Sequence, residues 1–335
     1  MISTARKKLK KLVLDKEEKL AKEDEIYKWS TKGPWSAKPD LASLSAWSRE
    51  RQKASPQFFS AAPKELRIHQ HRVEFESPVS SIYPENNTVR GEFFESRGSK
   101  AAVLLFGHWN SQSATYNRLA KMYRLSGISA LRLSLPYHDE RRPPSMPIAT
   151  GLLSADINQT IEAMQQATQE ARIAINWLKE NGYERIGVVG ASLGTAIALL
   201  SACHDARINA FVGYLTAADI ADLIWQSSAT HHLRESFEPD LNIETLREAF
   251  ACINPANYLH LLARPNFSMH IAWAEFDTVC PPQLTRNTIN QLKNCGVNVT
   301  ESKYKCGHNT LATTPFIQVS GFKGLRFMRK TLLKS

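Results

Sequence analysis

A serine with glycine two residues away on each side, Gly190-Ala191-Ser192-Leu193-Gly194, is the arrangement in this chain best suited to nucleophilic chemistry. Glycines at those positions let neighbouring backbone pass close without a Cβ clash, so the serine can sit on a tight turn that lifts its hydroxyl above a sheet edge. A serine hydroxyl is a weak nucleophile near neutral pH. It needs a base, and the base needs an orienting carboxylate. Both stand downstream, in the chain order that a strand–turn–helix serine uses. Asp277 closes Ala274-Glu275-Phe276-Asp277, and His308 lies in Lys305-Cys306-Gly307-His308-Asn309. Glu275 is a competing acid, with Asp277 preferred; a loop-capping Asp and a surface His are the alternative readings of each residue taken alone. An oxyanion hole would take one N–H from Leu193, the residue after the nucleophile. A second would come from Gly107-His108-Trp109-Asn110, where Trp109 is the choice and His108, which precedes the nucleophile, is read as shaping the loop.

These residues need a scaffold that brings them to one edge. Segments that read as strands, most of them apolar runs, cover Ala101–Phe106, Ile128–Leu133, Arg185–Gly190, Ala210–Tyr214, Ser268–Trp273 and Val297–Tyr304, with edge strands at His71–Phe75 and Val89–Glu95. Helical segments separate most of them, including a long one near Ala155–Asn181, Leu193–Cys203 after the serine, and a closing helix near Val319–Leu333. Continuous apolar strands joined by helical crossovers predict an α/β fold with a mostly parallel sheet covered on both faces. Asp277 and His308 then follow the ends of two successive strands, on the same edge as Ser192. Residues 3–28 read as a charged helix with Leu9, Val13 and Leu20 on one face. Residues 29–65, with Pro34, Pro39, Pro56 and Pro63, read as an irregular connector with short helices. The expected division is an N-terminal helical extension, 1–66, and one domain, 67–335, with a small helical lid at about 217–257.

Taken together, the Gly107–Asn110 loop, Gly190–Gly194, Asp277 with Pro281-Pro282 beyond it, and Gly307-His308 resemble the landmarks of an α/β-hydrolase-fold serine hydrolase over about residues 70–335. Within that superfamily the chain is similar to the dienelactone-hydrolase and acyl-peptidase-like branch. It is also similar to a group of α/β-hydrolase-domain-containing proteins in which a Leu-Pro-Tyr segment with basic residues precedes a long helix, a Trp-Leu pair and the serine motif. Here those are Leu135-Pro136-Tyr137 through Arg141-Arg142-Pro143, then Trp177-Leu178. Thr195 departs from the second glycine found in many relatives, and the first seventy residues lie outside the resemblance. The resemblance implies cleavage of an ester, thioester or amide through an acyl-enzyme, with no metal or organic cofactor. Acyl transfer by the same triad and a non-catalytic scaffold are the alternative functions.

Two segments would overhang the serine. Pro136–Ser154 carries Tyr137, Arg141 and Arg142, expected to contact substrate; paired arginines suit a carboxylate or phosphate, and an internal ion pair with Asp139 or Glu140 is the competing reading. The lid carries Trp225, His231, His232, Phe237 and Phe250, whose aromatic character suits an apolar acyl group; no carboxylate or cysteine is spaced to make the His pair a metal site. The expected partner is a small-molecule or lipid acyl substrate, with no nucleic acid. The formal net charge of +10 is concentrated partly in a Lys-rich N-terminus and in Lys323, Arg326, Arg329, Lys330 and Lys334, which would suit peripheral contact with an anionic membrane. Five scattered cysteines, a charged N-terminus and the lack of a bilayer-length apolar stretch predict a cytoplasmic protein.

Overall fold

A computed structural model describes residues 2–23, 34–238 and 240–333. Its sheet comprises β1 (Arg67–His69), β2 (Arg72–Glu76), β3 (Thr88–Phe94), β4 (Ala101–Phe106), β5 (Ser129–Leu133), β6 (Arg185–Ala191), β7 (Ile208–Tyr214), β8 (Ser268–Ala274) and β9 (Val299–Tyr304). The spatial order is β1-β2-β3-β5-β4-β6-β7-β8-β9. Pairing is antiparallel from β1 to β5 and parallel from β5 through β9. The expected α/β architecture is therefore the one observed, with β1 as an additional, exposed edge strand.

The central parallel strands are largely apolar because both faces are covered, whereas edge strand β9 is polar and half exposed. In β4, Ala102, Leu104 and Phe106 enter the larger core while Ala101, Val103 and Leu105 enter a smaller one behind the sheet. The helices, in chain order, are α1 (Ile2–Glu23), α2 (Leu41–Lys53), α3 (Ser55–Phe58), α4 (Ser113–Leu125), α5 (Ile157–Glu180), α6 (Leu193–His204), α7 (Ile220–Gln226), α8 (His231–Phe237), α9 (Ile243–Ala249), α10 (Pro282–Asn294), α11 (His308–Leu311) and α12 (Phe316–Leu332). Helices α5 and α6 pack on the larger core, and Ala120, Tyr123, Met328 and Leu332 of α4 and α12 cover the smaller one. Long α5 starts where the Asp156 carboxylate accepts from Gln159 N, a side-chain cap on an otherwise orphaned amide.

The expected lid region forms α7, α8 and α9, with Phe237 and Phe250 fully buried in the larger core. The helix expected over 3–28 is observed as Ile2–Glu23; residues 24–28, the first part of the expected connector, and Lys334 lie outside the described residues. Among the described residues no helix is long and apolar enough to cross a membrane.

Candidate active site

Strand β6 runs buried to Gly190, then turns sharply into α6 through Ser192, whose backbone adopts φ 49°, ψ −121°. Such a conformation is costly for a non-glycine residue and persists only when its surroundings impose it. Two close approaches do so. A Cβ on Gly190 would lie 2.6 Å from the Gly194 carbonyl oxygen, and one on Gly194 would lie 2.3 Å from that of Gly107. Ser192 N donates to Tyr214 O at the end of β7 (2.8 Å). Thr195 donates to Ser192 O from both its amide (2.8 Å) and its hydroxyl (2.7 Å), so the residue that departs from the relatives' glycine closes the first helical turn.

Because β6, β7, β8 and β9 are parallel neighbours, the loops after them emerge on one edge. His308 opens α11 beyond β9, and Asp277 follows β8. His308 Nδ1 lies 2.8 Å from Asp277 Oδ2 and 3.1 Å from Oδ1. Oδ1 also accepts from Val279 N (2.8 Å) and Cys280 N (2.7 Å), which fixes the carboxylate's orientation. The Asp277 side chain is 1% exposed and that of His308 12% exposed, so the pair is shielded while the imidazole keeps an open edge. Glu275 instead pairs with Arg6 of α1 and Lys303 of β9.

The Gly107–Asn110 loop is held from three sides. Tyr116 OH lies 2.7 Å from His108 Nδ1, and it accepts from His108 N at 3.2 Å. Trp109 Nε1 donates to Ala149 O (2.9 Å), and the indole stacks on His232 of α8 with ring centroids 6.2 Å apart. Asn110 N donates to His138 Nε2 (2.8 Å), which makes Nδ1 the protonated nitrogen, donating to Pro136 O (2.8 Å). Burial holds the His138 imidazole down at about 4, and burial with the nearby His308 and His138 does the same for His108. Both rings are therefore neutral around pH 7. Among the described residues, the backbone N–H groups of Trp109 and Leu193 have no intramolecular acceptor. A Cβ on Gly194 would also strike Phe106 O, so α6 and the loop after β4 approach backbone to backbone.

Two expected substrate contacts are corrected. Arg141 is fully buried: its guanidinium grips the Glu170 carboxylate of α5 (2.6 and 2.7 Å) and donates to Ser134 O and Asn86 O (2.8 Å each). The competing ion-pair reading fits in kind but not in partner, since the acid comes from the helix rather than from Asp139 or Glu140. Tyr137 is 2% exposed, its hydroxyl accepting from Gln159 Nε2 (3.0 Å). Asp139 is likewise turned inward, accepting from Ser113 N, Ser134 Oγ and Arg132. The basic Leu-Pro-Tyr segment is thus a bolt between sheet, α5 and the Gly107–Asn110 loop. Only Arg142 of the pair reaches toward the site, donating to Asn110 Oδ1 (3.3 Å) and Pro147 O (2.9 Å). His231 is exposed and His232 is taken up against Trp109; no cluster of three metal-ligating side chains occurs among the described residues.

Sequence reasoning overlooked His138, Tyr116 and Glu17. Glu17 interrupts the Leu9, Val13, Leu20 stripe of α1, and that break was the available clue.

A family model, alpha/beta hydrolase domain containing 18, matches residues 57–309. No curated protein matches the chain by sequence. Similar solved structures include an acetyl xylan esterase from Paenibacillus sp. R4 (TM-score 0.60, 15% identity, covering 88% of this chain and 96% of that one). Acetyl xylan esterase 1 from Thermoanaerobacterium sp. JW/SL YS485 has a TM-score of 0.60 and 15% identity, covering 91% and 98%. An acylaminoacyl peptidase from Pyrococcus horikoshii has a TM-score of 0.59 and 15% identity, covering 82% of this chain and 42% of that one. At such identities the likeness is one of fold.

Proposed function

The chain belongs to the alpha/beta hydrolase domain containing 18 family, and from that premise we propose that it is a serine hydrolase cleaving a carboxylic ester or thioester through an acyl-enzyme. The observation that carries the reading is Ser192 in its strained turn at the end of β6, with the hydrogen-bonded His308–Asp277 pair on the loops after β9 and β8. Similarity in fold to proteins named as esterases and a peptidase is consistent with it.

The reaction follows from these groups. His308 Nε2 takes the Ser192 proton as Oγ bonds to the acyl carbon. Asp277 keeps Nδ1 protonated and stabilises the imidazolium that forms. The N–H groups of Leu193 and Trp109 receive the oxyanion, and their alignment before reaction is where most of the stabilisation arises. His308 then protonates the leaving alcohol or thiol. In the second half it deprotonates water, which releases the acid and frees Ser192. His108, neutral and tied to Tyr116, shapes the loop without competing as a base. Helix α8 lies over the Trp109 face through His232 and serves as the lid edge. Arg142 braces Asn110 beside the oxyanion loop and is the remaining candidate for reading a substrate anion.

A fluorophosphonate probe tests the reading. Folded wild-type protein should be labelled on Ser192, and Ser192→Ala should abolish both labelling and turnover of an acyl ester and thioester panel. Labelling that survives the substitution would sink the proposal, and products transferred to an added alcohol in preference to water would identify an acyltransferase.

A further inference from the structure

Among the described side chains of α1, Glu17 is the most buried, 5% exposed on a helix whose lysines face outward. Its carboxylate accepts from Asn309 N (Oε2, 2.9 Å) and Thr310 N (Oε1, 2.6 Å). Those are the second and third residues of α11, the single helical turn that begins with His308. First-turn amides have no partner within their own helix, and a carboxylate is the strongest acceptor to offer them. The fit is close: a Cβ on Gly307 would lie 2.4 Å from Glu17 Cγ, so this position admits only glycine beside the carboxylate. Thr310 Oγ1 completes the turn by accepting from Gly307 N (2.7 Å). About three helical turns away, Arg6 of the same helix pairs with Glu275, two residues before Asp277.

We propose that Glu17 is a positioning residue for His308, and that α1 is a clamp spanning the two loops that carry the acid and the base. A turn of four residues has little stability of its own, since helix nucleation fixes several dihedrals for each bond gained. With Glu17 bridging its first amides, the turn holds the imidazole where Asp277 meets it. Without Glu17, the Asn309 and Thr310 amides turn to water and the ring samples orientations that miss the carboxylate. Catalysis is sensitive to such displacements, because small misplacements of a reacting group cost large factors in rate.

This rests on the hydrolase reading for its catalytic consequence, but its structural core can be measured apart from it. The experiment compares wild type, Glu17→Ala and Glu17→Gln, full length, by proton NMR of the hydrogen-bonded His308 Nδ1 proton, assigned with His308→Asn. The rate of fluorophosphonate labelling and the kcat and KM on a short acyl ester are read in parallel. Expected are loss or broadening of that resonance in Glu17→Ala, labelling and kcat down roughly tenfold with KM nearly unchanged, and partial recovery in Glu17→Gln, which retains one acceptor oxygen. An unshifted resonance together with wild-type labelling in Glu17→Ala overturns the inference. A resonance that responds to Glu17 in a protein whose Ser192 never labels supports the positioning role and removes the hydrolase reading instead.

Discussion

Asp277 does two jobs with one carboxylate: Oδ1 is committed to the amides of Val279 and Cys280, and Oδ2 faces His308 at 2.8 Å. Asn at this position would keep its carbonyl oxygen toward those two N–H groups and turn its NH2 toward Nδ1. The imidazole would then be held in the wrong tautomer, with its proton on the nitrogen that must accept from Ser192. Asp277→Asn is therefore expected to lower kcat by about 10⁴-fold with little change in thermal unfolding, checked by steady-state turnover alongside a melting curve. The candidate nucleophile, acid and base could be picked out as residues because the proposed chemistry fixes their types and order. Asp277 was preferred over Glu275 although both stand past the same strand; in the structure Asp277 Oδ2 lies 2.8 Å from His308 Nδ1, while Glu275 pairs with Arg6 and Lys303.

At the scale of elements, the central strands were readable because burial on both faces leaves apolar runs such as Ala101–Phe106, whereas edge strand β9 mixes Thr300, Glu301 and Lys303 with its apolar residues. Helix α4 was missed: its buried face is little more than Ala120 and Tyr123, too thin a stripe to stand out. The Tyr137–Arg142 segment misled for the opposite reason. Arginine is usually exposed, and only the position of Glu170, far along α5, converts Arg141 into an interior strut. Removing one side of a buried pair strands the other charge, at about 3–5 kcal/mol, whereas replacing both with apolar residues is often nearly neutral. Arg141→Met should accordingly destabilise the fold by that amount in urea titration, and Arg141→Met with Glu170→Leu should recover most of it. KM for any anionic acyl substrate should stay unchanged in the double variant; a rise would restore Arg141 to the substrate.

For the whole molecule, several histidines are buried in neutral form, and His138 and His232 are each held at about 4 by desolvation against an ordinary 6.5. A depressed imidazole means that, between those two values, the unfolded chain binds more protons than the folded one. The stability from keeping such a ring neutral is complete above about 6.5 and drains as pH falls toward about 4. Each ring contributes a slope of up to about 1.4 kcal/mol per pH unit within that window. Urea titrations at pH 7, 6 and 5 should record the decline, and His138→Asn, though weaker at pH 7, should flatten it. The fold places one more constraint on this chain. Glu17 and Asn309, whose amide it holds, stand 292 residues apart in the sequence. The Ser192 turn precedes in sequence both halves of the pair proposed to activate it, Asp277 and His308. On the proposed hydrolase reading, reactivity at that serine requires segments from both ends of this span, and a chain cut between Ser192 and His308 should stay inert however well its sheet has formed.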